Sequence, residues 1–185
     1  MDKISFYDVF IIMATCVLSC ISSKNVVYET PCNLIEDGSF EKQQFGTIQK
    51  PFNIRPMDAE SHFIIQENSK KSHGNKVLHI KSMAGDWWGI SQKIQLIPGK
   101  KYTTSFLVRG DTTEMHCGAV SSGVFYGWNN VVVPNTDWQR VSYDFYVREN
   151  SDGKTNIYIY FRHPTKNVDI EIDELKVLQE LPDKI

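Results

Sequence analysis

The longest apolar run in the sequence, Val9 to Ile21 (VFIIMATCVLSCI), falls well short of the roughly 20 residues that a membrane-spanning helix needs. An excess of one charge is missing too. There are 20 Lys and Arg against 22 Asp and Glu, for a net charge of -2. The basic residues are scattered rather than gathered into a stripe, so the chain has no field for gripping a phosphate backbone and nucleic acid is not an expected partner. The histidines, His62, His73, His79, His116 and His163, show none of the paired short spacings of a zinc site. Asp86, Glu114 and Asp144 belong to no motif that would pair two carboxyl groups for glycoside hydrolysis. His116 and Cys117 are neighbours on one predicted strand, where adjacent side chains diverge, which removes a simple base and nucleophile pair. Catalysis is therefore not expected. Helical periodicity beyond two turns, internal repeats and low-complexity tracts are also lacking.

The run from Val9 to Ile21 is apolar on every face, unlike a surface helix with its stripe, and reads as the hydrophobic region of an export signal. The segment ahead of it is weak for that role, because Asp2 and Asp8 offset Lys3. Within it, Val17-Leu18-Ser19-Cys20 resembles a bacterial lipoprotein signal. That resemblance implies a lipid-bearing Cys20 at the mature N-terminus, a membrane anchored only through that lipid, and a hydrophilic tether behind it. Cleavage near Ser22 or Ser23 gives a secreted protein instead. The expected organisation is an export signal over residues 1–19, a tether over 20–31, one domain over 32–180 and a tail over 181–185. Cys16 leaves with the signal, and Cys32 and Cys117 remain, as one disulfide or as two buried thiols.

From Cys32 onward the sequence is built of short alternating runs separated by turn residues, the pattern of an all-β domain. In Lys101 to Gly110, Tyr102, Thr104, Phe106 and Val108 share one face, and Thr103, Ser105, Leu107 and Arg109 share the other. Pro98-Gly99 makes the turn before it. Further strands are predicted at about Asn33 to Phe40, His62 to Gln66, Lys76 to Ser82, Trp88 to Leu96, Met115 to Ser121, Trp138 to Arg148, Asn156 to His163 and Asp169 to Glu180. In Asn156 to Arg162, Ile157, Ile159 and Phe161 oppose Tyr158, Tyr160 and Arg162. The stretch from Lys42 to Glu60 has little pattern and is expected to wrap an edge. The fold expected from these runs is a two-sheet antiparallel jelly-roll β-sandwich.

Taken in order, Asn33 to Glu41 (NLIEDGSFE), His73 to Leu78 (HGNKVL), Trp88 to Ile94 (WGISQKI), Pro98 to Gly110, Trp138 to Tyr143 (WQRVSY), Ile157 to Phe161 (IYIYF) and Ile170 to Val177 (IEIDELKV) resemble the carbohydrate-binding modules of the family 4, 9 and 22 group. That group has a galactose-binding-like jelly roll. The resemblance implies a structural calcium held by the Glu41 and Asp173 carboxylates with main-chain carbonyls near Gly38, His73 and Lys76; calcium takes six to eight oxygens, so water would complete the set. It also implies a sugar groove on a concave sheet, flanked by Trp87 or Trp88 and by one or more of Phe125, Tyr126 and Trp128. Such modules usually serve a glycoside hydrolase, here one encoded separately.

A sugar ring offers an apolar face and a rim of hydroxyls, so its binder needs a flat aromatic platform bordered by hydrogen-bonding groups. Covering roughly 100 Å² at about 25 cal/mol per Å² contributes about 2.5 kcal/mol. Millimolar to micromolar binding needs about 4 to 8 kcal/mol after rigid-body entropy is lost, so a second platform or polar partners are required. Asp86, Ser91, Gln92, Asn129, Asn130, Arg109, Tyr158, Tyr160 and Arg162 are available for hydroxyls. Trp87 and Trp88 point to opposite faces of a strand, and Trp88 is the expected platform. Trp138 is expected to be structural, and the loop-like segment of Phe125, Tyr126 and Trp128 to be a contact surface. The competing reading is a module for protein or cell-wall partners on the same fold.

Overall fold

The β-alternation read along the chain is realised as two antiparallel sheets. The computed structural model describes residues 32–69, 74–110, 114–121, 124–132 and 137–180, with backbone alone for residues 121 and 127–132. The export signal, the tether and Cys20 lie outside the described residues, as do His73 and the tail from residue 181.

The first sheet runs in the order β1 (Gly46–Thr47), β3 (Phe63–Glu67), β4 (Lys76–Ser82), β11 (Val168–Gln179), β6 (Lys101–Gly110), β9 (Gln139–Tyr146). The second runs β2 (Asn53–Arg55), β5 (Trp88–Gln95), β10 (Lys154–Arg162), β7 (Glu114–Ser121), β8 (Val124–Val132). Between them lies one apolar layer. Ile65, Ile80, Ile172, Phe106 and Tyr143 come from the first sheet, and Ile90, Ile159, Phe161, Met115 and Cys117 from the second, all buried. Burial alternates along β10: Ile157, Ile159 and Phe161 go inward while Asn156, Tyr160 and Arg162 stay partly open on the other side. The fold is therefore the expected two-sheet β-sandwich.

Several local expectations are corrected. Asn33 to Phe40 is a series of turns, not a strand. The Asn33 side-chain oxygen accepts the N–H groups of Ile35 and Val177, and Asp37 (φ 52°) and Phe40 (φ 59°) are left-handed. Full burial of the Phe40 ring, 5.2 Å from that of Phe52, opposes the strain at that residue. The segment around Phe125 to Asn130 is a strand rather than a loop. Its pairing with β7 slips between Ala119↔Tyr126 and Gly118↔Trp128, so that Gly127 is the extra residue of a bulge. The Lys42 to Glu60 stretch supplies β1 and β2, one edge strand to each sheet. Cys32 is exposed, Cys117 is buried, and both are free thiols; burial pushes the Cys117 thiol up to about 12.

Candidate functional site

The two tryptophans part ways across β5. Trp88 shares the core side with Ile90. It is 5% exposed and packs 4.8 Å from the His62 ring and 6.2 Å from the Phe63 ring, centre to centre. The expected exposure of Trp88 is thus corrected: a strand that buries Ile90 must bury the residue two places before it. Trp87, just ahead of the strand, lies on the opposite side. There the Arg162 guanidinium sits 4.8 Å from its ring centre and the His116 ring meets it edge-on at 3.9 Å.

Strand register extends this outer face across the second sheet. Arg55, Gly89, Tyr160 and His116 form one row, and Asn53, Ser91, Tyr158 and Gly118 the next. Tyr158 and Tyr160 stack at 4.8 Å with planes 23° apart, and the Arg55 guanidinium lies 5.4 Å from the Tyr160 ring centre. Gly89 makes this arrangement possible. A Cβ there would stand 1.9 Å from the Ile159 carbonyl oxygen and 2.7 Å from Cδ1 of Tyr160, so only glycine lets the tyrosine lie across β5.

The Arg162 Nη2 atom donates to Glu114 at 2.9 Å, tying β10 to β7 under the Trp87 ring. Burial, the largest influence on His116, holds its imidazole below the usual value; Arg162 acts in the same direction and Glu114 opposes both. Tyr158 is 4% exposed, and burial raises its phenol well above its usual range, so it supports the Tyr160 ring from below and is not a ligand contact. The face thus combines aromatic surfaces with guanidinium donors. These are the group types that address a ring of C–H bonds rimmed by hydroxyls.

Of the other expected sugar contacts, Arg162 is on this face. Phe125 is 64% exposed, and its neighbour Tyr126 turns inward to 7%. Tyr126 belongs to the core against Phe145, which corrects its expected role. Gln92 is corrected as well: it is 3% exposed, and its amide exchanges hydrogen bonds with the main chain of Glu36. Positions 128 and 129 pair with Gly118 and Cys117, and the side chains of Trp128 and Asn129 lie outside the described residues. Arg109 is on the other sheet, ion-paired with Glu171 and 5.0 Å from the Trp138 ring centre. Arg55 was not among the expected residues because its surroundings lack pattern; its signal is the triplet Asn53-Ile54-Arg55, whose Ile54 packs against the core.

The expected calcium set is engaged otherwise. The Gly38 carbonyl accepts the Leu175 N–H at 2.8 Å, Glu41 Oε1 accepts the N–H groups of Asn75 (2.7 Å) and Lys76 (2.9 Å), and Asp173 Oδ1 accepts the Glu174 N–H at 2.7 Å. The Lys76 ammonium donates to the carbonyls of Glu41 (2.9 Å) and Gln43 (2.5 Å) and lies 5.2 Å from the Phe45 ring centre. Among the described residues no group of three His, Cys, Asp or Glu side chains is placed to hold a metal. The carboxylate oxygens that a calcium would use at this junction accept main-chain N–H groups, and an ammonium stands at two neighbouring carbonyls. Lys76→Met should lower stability by about 1–3 kcal/mol, the cost of stranding those acceptors. Thermal melts with chelator and with excess calcium should coincide for the natural chain. A calcium-dependent rise in Tm that Asp173→Asn removes would restore an ion to this junction.

No family model matches the sequence, and no curated protein matches it. The fold is nevertheless that of carbohydrate-binding-module β-sandwiches. A family 61 carbohydrate-binding module in complex with β-1,4-galactotriose superposes with TM-score 0.64 at 13% identity, covering 80% of this chain and 99% of that one. A family 4 module matches with TM-score 0.52 at 17% identity, covering 79% and 99%. A cyclase from Fischerella sp. TAU, in complex with (3Z)-3-(1-methyl-2-pyrrolidinylidene)-3H-indole, matches with TM-score 0.63 at 12% identity, covering 83% and 100%. At such identities the likeness is one of fold, and the fold carries both binders and a catalyst.

Proposed function

We propose that the outer face of the second sheet binds a poly- or oligosaccharide without altering it chemically. The observation that carries this reading is the placement of Trp87 and Tyr160 on one sheet face, each beside a guanidinium and within a field of small or polar residues: Gly89, Ser91, Asn53 and Gly118. The carbohydrate-binding modules that share the fold support it. A glycosidase-like pair of carboxylates has less support, because Glu114 is bound to Arg162 and Asp144 belongs to β9 of the other sheet, held by Lys101 and Thr103. In this reading residues 1–19 export the chain, and lipidation at Cys20 or cleavage beyond it decides between a surface-anchored and a released binder that delivers glycan to a separate hydrolase.

Affinity electrophoresis through gels containing galactan, xylan, β-glucan or pectin tests the reading. Trp87→Ala and Tyr160→Ala should each weaken retention about tenfold or more, as loss of one platform implies, while leaving the far-ultraviolet circular dichroism unchanged. If the natural chain is retained by no polysaccharide, or if neither substitution alters its retention, the reading fails.

A further inference from the structure

Several cations of this protein are matched by acids. Arg109 pairs with Glu171, Arg140 and Lys176 with Glu174, Arg162 with Glu114, and Lys101 with both Asp144 and Glu180. Arg55 differs. It is exposed, its guanidinium is held at the Tyr160 ring, and it forms no salt bridge among the described residues. Two rows along the same face, Lys93 is exposed and forms no salt bridge among the described residues. With Arg162 these make three cations on or beside the aromatic platform, against the carboxylates of Glu114 and, in the turn ahead of Trp87, Asp86. In a chain of net charge -2, this face is locally positive.

Resting on the glycan reading above, we infer that the ligand of this face bears an anionic group, a ring carboxylate or a sulfate ester, and that Arg55 receives it. A guanidinium presents N–H donors in a planar fork that matches two oxygens of one carboxylate or sulfate, and such a bidentate pair adds opposite charge and fixed geometry that a hydroxyl lacks. Contact with Tyr160 restrains the long arginine side chain before the ligand arrives, so less freedom is lost on binding. Gly89, opposite Arg55 in the register, puts no side chain between the cation and a sugar lying on Tyr160. Neutral hydroxyls would leave the charge of Arg55 unanswered once water is displaced.

The test uses the full chain and four immobilised polymers: polygalacturonate, the same polymer fully methyl-esterified, a sulfated galactan and an unsubstituted galactan, all at fixed ionic strength. Expected is retention on at least one charged polymer that exceeds its neutral counterpart about tenfold and falls about tenfold in Arg55→Gln. Arg55→Lys should restore part of it, because the charge returns without the fork. Arg148→Gln, removing an exposed cation that follows β9 of the other sheet, should change nothing. Preference for polygalacturonate over its ester assigns a carboxylate; preference for the sulfated galactan assigns a sulfate. Equal retention of charged and neutral polymers, or retention that Arg55→Gln leaves intact, overturns the anionic inference while the glycan reading stands. Retention on none of the four and on no gel of the earlier panel overturns both.

Discussion

Trp88→Ala should destabilise the domain by about 3–5 kcal/mol, the range for deleting a large buried aromatic, and so unfold a substantial fraction of molecules near physiological temperature. The indole is nearly sealed between the sheets against His62 and Phe63, and alanine would leave a cavity that two hydrogen-bonded sheets cannot close. A second substitution separates packing from chemistry. The Trp88 Nε1 atom is buried without a hydrogen-bond acceptor among the described residues. Trp88→Phe removes that desolvated donor along with some volume, so its cost should be well below half that of alanine. Urea denaturation of the three proteins measures the difference. Glycan retention of folded Trp88→Phe should equal that of the natural chain, whereas Trp87→Ala should keep stability within about 1 kcal/mol and lose retention. If Trp88→Ala melts like the natural chain, the assignment of the two indoles to opposite sides is wrong.

Gly89→Ala is the second large effect. The added methyl would meet a main-chain carbonyl oxygen at 1.9 Å, and no rotamer change can move a backbone atom. β5 and β10 would have to separate in the middle of the second sheet, at an expected cost of about 3 kcal/mol or more, beyond ordinary overpacking. The methyl also strikes the Tyr160 ring, so retention on glycan should fall even below the melting temperature. Retention at 10 °C and the urea midpoint read the two consequences separately. Natural stability in this variant would mean that β10 does not approach β5 as described.

The regular strands were legible because each buries one face. Lys76 to Ser82 and Lys101 to Gly110 appear with the expected bounds, and the separation of Ile157, Ile159 and Phe161 from Tyr160 and Arg162 follows directly from period two. Asn33 to Phe40 alternates acceptably, but local hydrogen bonds accepted by the Asn33 and Asp37 side chains compete with strand pairing there. The β8 strand was obscured by its own bulge: Gly127 breaks the alternation that Phe125 and Tyr126 begin. For the tryptophans the parity is legible in the sequence, since Ile90 marks the inward side that Trp88 shares. Arg55 was not legible, because two neighbours across the sheet define its role and neither Gly89 nor Tyr160 is close to it in sequence.

The ammonium of Lys76 has a consequence for where this domain can work. A free ion leaves its site whenever its concentration falls below the dissociation constant, and stability then follows the composition of the medium. A cation carried on a side chain has no such equilibrium. Its effective concentration is set by the length of the tether and is unaffected by dilution, chelating polysaccharides or competing salts. A domain whose first turns are clasped in this way to carbonyls of Glu41 and Gln43 carries the charge at that junction as part of its own chain.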